Sequence, residues 1–269
     1  MDNEVVLVEV VDRVAVVTLH RPEARNALNR AVRRRLPQVI DELDRDDGVD
    51  VMVLTGTDPA FCAGVDLKEF GGGHTTAAGE GFATMGERRD GRTPWRGALP
   101  PTDKVVIGAI NGVAITGGFE LALACDFLIA SERARFADTH ARVGVMPGWG
   151  LTVLLPQRIG VARAKEMSVT GNFVDAETAL AWGLVNHVVP HDELLPSCRA
   201  LAADCVGIDQ RAVRQMLRTY DEVTTTTVDE GWRIEDRASR DWEGAGFDPA
   251  AIEARRREVV ERGRRQIGT

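Results

Sequence analysis

A pair of adjacent glycines, Gly117 and Gly118, separates two apolar stretches, residues 105–115 and 121–130. Such a pair predicts a sharp turn at which backbone N–H groups come close to a ligand. Because the second stretch begins with the pattern of a buried helix, the glycines are expected at a helix N-terminus. Unpaired N–H groups and the positive end of the helix dipole stabilise a developing oxyanion there. A plainer interpretation stays open on this segment alone: a tight loop that enters a core helix, with Glu120 as a favourable first-turn acid.

The composition excludes some classes of protein. The 269 residues, 44% of them hydrophobic, are enough for one large domain or a domain with an appendage. A net charge of −8 is opposite to the basic footprint of nucleic-acid-binding proteins, and 5% aromatic residues leave little for base stacking. No nucleic-acid partner is therefore predicted. No stretch reaches the roughly 18 apolar residues of a membrane helix, so no membrane partner is predicted either.

The four cysteines predict neither disulfides nor a metal site. None forms a C-x-x-C pair, and no histidine lies at metal-ligand spacing from them. Free thiols are typical of a reducing compartment, and the acidic N-terminus leads into a strand-like run rather than a signal peptide. The predicted location is therefore the cytoplasm. The cysteines are Cys62, Cys125, Cys198 and Cys205.

Strand and helix patterns alternate in the first part of the chain, and helical patterns dominate after residue 151. This alternation predicts an α/β fold. The change of character near residue 200 indicates a core, residues 1–200, and a C-terminal helical region, residues 201–269. Residues 71–91 are rich in Gly, Ala and Thr and predict a mobile loop. Strands are predicted at residues 5–10, 14–20, 50–55, 104–110, 125–130, 134–136 and 184–189, and helices at 29–43, 152–158, 162–170, 176–182, 194–206, 210–220, 227–242 and 249–265.

A second glycine turn follows the strand predicted at residues 50–55. In residues 61–67, Gly64 permits a tight turn, and the N–H of Val65 is expected at the start of a helix, where no intrahelical acceptor exists for it. If the N–H groups of Val65 and Gly117 point to one place, they form a two-donor oxyanion hole. Each turn alone is a weak signal, and the pair favours a functional interpretation.

Several stretches, in this order along nearly the whole chain, carry a resemblance to a known family. The chain resembles the crotonase (enoyl-CoA hydratase/isomerase) superfamily. The resemblance implies an α/β fold built as a spiral of ββα turns, with a C-terminal helical region that supports a homotrimer or a dimer of trimers. The matching stretches are residues 21–29, 61–67, 109–121, 125–126, 134–136, 144–148, 155–160 and 179–185.

The resemblance also implies a substrate and catalytic groups. The substrate is an acyl-CoA thioester whose oxygen is held by the N–H groups of Val65 and Gly117; coenzyme A is part of the substrate, so no separate cofactor is implied. In the family's hydratases two glutamates flank a water. The first corresponds to Glu120, whereas the position of the second holds His140. Gly148 matches a glycine whose N–H helps to place the water.

The loss of the second glutamate leaves three interpretations open. His140 could replace it as a base, because an imidazole exchanges protons near neutral pH. It could instead be a neutral histidine that bonds a neighbour at the pocket edge. Asp138 could also present a carboxylate from a shifted loop.

The resemblance further implies contacts with coenzyme A and the acyl chain. Some of these positions have a second interpretation: Arg262 could lie on a solvated helix face, and Trp149 and Leu151 could narrow the acyl pocket or pack in the core. Trp95 is a candidate cover for the acyl chain. The residues expected beside coenzyme A are Ala24 and Arg25 at the adenine and phosphates, Ala63, Asp66 and Leu67 at the adenine and pantetheine, and Arg262 at the phosphates.

Three functional hypotheses follow. The first is a lyase of fatty acid metabolism that adds water to a 2-enoyl-CoA or removes it, with Glu120 as the main acid and base. The second keeps the enolate but isomerises the double bond, hydrolyses the thioester or decarboxylates the acyl group. The third is an acyl-CoA binding protein without catalysis, which would not need a carboxylate at Glu120.

Overall fold

The computed structural model describes residues 5–70, 97–244 and 249–268. The loop predicted at residues 71–91 and Trp95 lie outside the described residues. The chain divides into two compact units, Met1–Arg214 and Gln215–Thr269. The first unit holds both sheets, and the second is helical.

A six-stranded sheet forms the centre of the first unit. Its strands lie in the order β1, β2, β3, β5, β7 and β10, and all neighbours are parallel except the β1–β2 hairpin. The runs VMVLTG and VVIGAI of β3 and β5 are buried throughout, as expected for parallel strands covered on both faces. The bounds are β1 (Val6–Val11), β2 (Val14–Leu19), β3 (Val51–Gly56), β5 (Val105–Ile110), β7 (Phe127–Ser131) and β10 (His187–Val189).

A second, smaller sheet is interleaved with the first along the chain. It consists of β4 (Ala60–Cys62), β6 (Val113–Ile115), β8 (Arg135–Ala137) and β9 (Val174–Asp175), in that order. The strands β3, β5 and β7 of the large sheet are each followed directly by one strand of the small sheet and then by a helix. This repeat is the spiral of ββα turns predicted from the sequence.

The helices cover the sheets and supply the core. Asn29 caps the first helix, because its side chain accepts a hydrogen bond from the N–H of Val32 at 3.0 Å. The predicted helices are all present. The bounds are α1 (Arg30–Arg45), α2 (Leu67–Phe70), α3 (Gly117–Leu123), α4 (His140–Val143), α5 (Leu151–Ile159), α6 (Val161–Thr170), α7 (Ala176–Trp182), α8 (Leu194–Val206), α9 (Gln210–Val223), α10 (Val228–Gly244) and α11 (Pro249–Ile267).

The described ranges contain no helix with the length and apolar character needed to cross a bilayer. In the same ranges, no three His, Cys, Asp or Glu side chains are grouped as metal ligands. The four cysteines are free thiols, and Cys62, Cys125 and Cys198 are buried. Burial raises the pKa of the Cys62 thiol to about 12, so this cysteine is a packing residue rather than a nucleophile.

Candidate active site

Three loops meet because they follow three adjacent parallel strands. In the small sheet β4 pairs with β6, and β6 pairs with β8, all in parallel register. The carboxyl ends of parallel strands lie at one edge of a sheet, where α/β proteins commonly bind ligands. The loop to Val65 follows β4, Thr116 and Gly117 follow β6, and the segment from Asp138 to His140 follows β8.

These loops border a cavity of about 380 Å³. In the part of the chain that the structure describes, its wall is mainly apolar, and the polar side chains are one carboxylate, one imidazole and two hydroxyls. This is the composition expected of a site that takes a largely apolar group and acts on it at one polar end. The lining residues are Ala63, Val65, Leu67, Thr116, Gly117, Glu120, Thr139, His140, Val143, Val145, Met146, Pro147, Gly148 and Trp149.

The two glycine turns are in direct contact. Gly64 has a φ of +90°, and a Cβ atom there would lie 2.8 Å from the carbonyl oxygen of Ile115 and 3.6 Å from the nitrogen of Gly117. Within the described ranges, the N–H groups of Val65 and Gly117 donate to no backbone or side-chain acceptor. Two unpaired donors therefore lie on adjacent loops at the cavity wall, the arrangement that an oxyanion hole requires.

Thr116 has an unusual backbone conformation at this edge, with φ 54° and ψ −113°. A non-glycine residue pays about 1–3 kcal/mol for such a conformation. Its hydroxyl lies 2.6 Å from that of Thr139, and its N–H donates to the Ala137 carbonyl at 3.0 Å. Neither threonine was a predicted site residue. Both line the cavity, as His140 does.

The carboxylate of Glu120 is held in a fixed orientation. The residue is 2% exposed, and its Oε1 accepts hydrogen bonds from the N–H of Trp149 at 2.7 Å and of Leu151 at 3.3 Å. These donors lie at the start of α5, where the helix leaves N–H groups unpaired. The other oxygen, Oε2, lies 3.6 Å from Nε2 of His140. One oxygen is thus anchored and the other faces the imidazole.

His140 lies between two carboxylates. Its Nδ1 is 2.6 Å from Oδ1 of Asp138, and the same oxygen accepts the backbone N–H of His140 at 3.1 Å. Burial disfavours the charged imidazole, but hydrogen bonds and charge from Asp138 and Glu120 outweigh it and raise the pKa of His140 to about 9. Burial also opposes the charge on Asp138, yet hydrogen bonds from His140 and Ser168 hold the pKa of that carboxyl below its ordinary value. The two carboxylates therefore favour the imidazolium over the neutral ring.

The family model described as enoyl-CoA hydratase/isomerase matches residues 9–242. The chain belongs to the enoyl-CoA hydratase/isomerase family. It is 42% identical over 200 residues to a probable peroxisomal enoyl-CoA hydratase 1 of Arabidopsis thaliana, a match covering 74% of this chain and 72% of that one. It is 33% identical over 236 residues to the crotonyl-CoA hydratase of Syntrophomonas wolfei, covering 87% and 88%.

Solved structures of this family have the same fold. An enoyl-CoA hydratase from Mycobacterium tuberculosis H37Rv is 46% identical and superposes with a TM-score of 0.73 over 88% of this chain and 98% of that one. The enoyl-CoA hydratase EchA1 from Mycobacterium marinum is 33% identical, with a TM-score of 0.79 and 94% coverage of both chains. The predicted crotonase-like α/β fold is therefore confirmed.

This member of the enoyl-CoA hydratase/isomerase family brings part of the predicted coenzyme A set together. Ala63 and Leu67 line the cavity, and the N–H of Ala63 donates to the carbonyl of Arg25 at 3.0 Å, next to Ala24. Asp66 forms an ion pair with Arg21 at 3.1 Å. Arg262 belongs to α11 of the second unit, so its place beside coenzyme A stays a prediction.

The structure also shows where Gly148, Trp149 and Leu151 lie. Gly148 lines the cavity, as does the side chain of Trp149, which also packs against the core. A Cβ atom on Gly117 would lie 3.0 Å from Cζ3 of this tryptophan, so the indole ring packs against the Gly117 turn. Leu151 is buried and packs in the core. Both residues therefore pack in the core, and the narrowing of the acyl pocket by Trp149 stays a prediction.

Asn26 supports the site, and the sequence analysis assigned it no role. It is fully buried, and its amide group donates to the carbonyls of Thr57 and Ala60, both at 2.7 Å, while its oxygen accepts the N–H of Arg21 at 2.9 Å. These bonds join the loop around Arg25 to the start of β4. Asn26 lies in one of the stretches that resemble the family, which was the sequence evidence for a role. The two carbonyls that it binds lie more than 30 residues away along the chain, so these bonds could not be predicted from local pattern.

Proposed function

We propose that this protein is an enoyl-CoA hydratase, a lyase that adds water across the double bond of a 2-enoyl-CoA thioester. The observation that carries this proposal is the anchored carboxylate of Glu120, which faces His140 beside the unpaired N–H groups of Val65 and Gly117. The names of the relatives, enoyl-CoA hydratase and crotonyl-CoA hydratase, support the same reaction.

The first requirement of the reaction is stabilisation of the negative charge that develops on the thioester oxygen. Attack at Cβ moves electrons to this oxygen and produces an enolate. The N–H groups of Val65 and Gly117 stabilise that charge, and one such donor typically contributes about 3 kcal/mol to the transition state. The side chain at position 65 does not take part, which is why a valine serves there.

The second requirement is proton transfer, from the water and to Cα. The nucleophilic water gives its proton to the carboxylate of Glu120 as its oxygen bonds to Cβ, and His140, as an imidazolium, supplies the proton that Cα takes up. Glu120 then carries one proton more and His140 one fewer. Transfer between Oε2 and Nε2, 3.6 Å apart, restores both groups and leaves one water added to the substrate.

The coenzyme A portion has proposed contacts of its own. Ala24 and Arg25 contact the adenine and phosphates, and Ala63, Asp66 and Leu67 contact the adenine and pantetheine. The hydrogen bond that joins Ala63 to Arg25 supports this grouping. Arg262 contributes a cation for the phosphates. Gly148 helps to place the water.

The purified protein with crotonyl-CoA tests this function. We expect the absorbance of the conjugated enoyl thioester to fall as the double bond is hydrated. Binding without turnover would identify an acyl-CoA binding protein and overturn the proposal. Release of free coenzyme A, loss of carbon dioxide or a shifted double bond would identify the other enolate reactions.

The indole of Trp149 sets the size of the acyl pocket. We expect Trp149→Ala to raise kcat/KM for a long-chain enoyl-CoA relative to crotonyl-CoA by about 10-fold or more, because one methylene group in a hydrophobic pocket is worth about 1–3 kcal/mol. The anchor of Glu120 is a backbone N–H, so it survives the substitution. Trp182→Ala, a tryptophan beside Arg163 and outside the cavity lining, is the matched control and should leave the ratio unchanged. Equal ratios in the two variants would contradict this assignment.

A homotrimer, or a dimer of trimers, in the cytoplasm completes the proposal. Exposed apolar side chains on α9 and α10, namely Met216, Tyr220 and Trp232, support a surface covered by another subunit. The four free thiols support a reducing compartment.

A further inference from the structure

Asp138 stands behind His140, outside the cavity lining. We propose that Asp138 is a positioning residue: it holds the imidazole of His140 with Nδ1 protonated and Nε2 turned to Glu120, so that an Asp138–His140 unit does the work of a second catalytic carboxylate. This inference rests on the hydratase function proposed above. His140 is the catalytic residue of the unit, because it borders the cavity.

The contacts of Asp138 fix the ring in one orientation. Its Oδ1 accepts from both the backbone N–H and the Nδ1–H of His140, at 3.1 and 2.6 Å. The residue is 1% exposed, and the neighbouring Ser168 of α6 helps to hold the pKa of its carboxyl below the ordinary value. With Nδ1 engaged, only Nε2 remains to face the cavity. A hydrogen-bonded carboxylate fixes both the tautomer and the orientation of an imidazole in this way.

Glu120 meets the ring from the opposite side. Its Oε1 is taken by the N–H groups of Trp149 and Leu151, so Oε2 is the oxygen left for Nε2. Among the described residues, the charged groups that face His140 are Glu120 on α3 and Asp138 on its own loop, while α6 presents the neutral Ser168. Arg142, on the same short helix, donates instead to the carbonyl of Thr170.

This arrangement determines which way protons move. One imidazole between two carboxylates is held as the imidazolium, which has a proton on Nε2 to give and cannot accept one. His140 consequently acts as the acid at Cα, and Glu120 as the base toward water. The Nε2–H bond breaks as the Cα–H bond forms, and the proton that Glu120 took from water later returns to Nε2. A carboxylate in place of His140 would need to bind a proton before it could do this.

The pH profile of Asp138→Asn tests the assignment. In the wild type, kcat/KM for crotonyl-CoA should stay constant at pH values below the pKa of His140 and should fall as the pH rises through about 9. Removing the carboxylate removes an interaction that favours the imidazolium, so the alkaline limb should move to lower pH by about one to three units. At pH 8 we expect kcat to fall by about 10²-fold or more, with KM little changed.

The matched control is Asp50→Asn. Asp50 is also a buried carboxylate with a cationic partner, because it pairs with Arg13 at 2.8 Å, but it lies away from the cavity. Asp50→Asn should be less stable than the wild type, and the alkaline limb of its kcat/KM profile should lie at the wild-type pH. The proposal is overturned if both variants keep the wild-type limb, or if Asp138→Asn loses activity equally at every pH.

A measurement without substrate separates this inference from the proposed function. Nitrogen NMR of ring-labelled histidine, with the His140 signal assigned through His140→Gln, reports ring protonation directly. In wild type we expect His140 to stay protonated to higher pH than in Asp138→Asn by about one to three units. That shift would support the positioning role of Asp138 even if the protein does not hydrate crotonyl-CoA. Identical titration of His140 in the two proteins would overturn the positioning role even if the protein does hydrate crotonyl-CoA.

Discussion

Glu120→Gln should lower kcat for crotonyl-CoA hydration by about 10³-fold, with a much smaller change in KM. General acid–base groups contribute factors of about 10²–10⁴, and this carboxylate is the base in the proposed reaction. Glutamine keeps the shape of the side chain, and its amide oxygen can still accept the N–H of Trp149, so the pocket should keep its form. Initial rates from the loss of the enoyl thioester absorbance measure the effect.

Glu177→Gln is the matched control for this prediction. Glu177 also lies in the first turn of a helix, α7, but it is exposed and outside the cavity lining. If Glu120 were only a favourable first-turn acid, the two variants would behave alike, each losing about 0.3–1 kcal/mol of stability and little activity. Retention of wild-type kcat in Glu120→Gln would contradict its role as the base.

Gly118→Ala should destabilise the protein by about 3 kcal/mol or more. A Cβ atom there would lie 2.2 Å from the carbonyl oxygen of Cys62, a backbone atom that cannot rotate away. Cys62 ends β4, which pairs with β6, so relief of the contact would pull the small sheet and both glycine turns apart. Overpacking of this kind commonly costs about 1–3 kcal/mol and sometimes more. Urea unfolding followed by circular dichroism measures the change.

Gly263→Ala is the opposite case and serves as the control. This glycine lies inside α11, and among the described residues no atom outside its own helix turn comes within 4 Å of the added Cβ. Because alanine favours a helix over glycine by about 1 kcal/mol, we expect unchanged or slightly greater stability. A Gly118→Ala protein as stable as Gly263→Ala would show that the two glycine turns are not packed as described.

Local pattern was enough to predict most elements of the fold. The apolar runs of β3 and β5 and the spacing of Val32, Leu36 and Val39 on α1 are repeated over enough residues to identify strand and helix. Asn29 marks the start of α1, because its side chain accepts a hydrogen bond from the N–H of Val32, only three residues further along the chain. Short strands carry less information: β4 has three residues and was not predicted, because no alternation can be recognised over that length.

The candidate site was predictable in its backbone and less so in its side chains. Gly64 and Gly117 indicated the two turns of the proposed oxyanion hole, because the backbone requirement for glycine is local. The partnership of His140 with Asp138 depends on the ring orientation at the end of β8, which spacing alone does not define. Asp138 was expected, in one interpretation, to present a carboxylate to the pocket, whereas it faces His140 and is absent from the cavity lining.

The most direct test of the central claim is the product formed from crotonyl-CoA in water that carries heavy oxygen and deuterium. We expect the wild type to form a hydroxyacyl-CoA with one heavy oxygen at Cβ and one deuterium at Cα, and Glu120→Gln to form none. Mass spectrometry and NMR of the product locate both atoms. Recovery of unchanged crotonyl-CoA, or a product with deuterium but without the heavy oxygen at Cβ, would contradict hydration at this site.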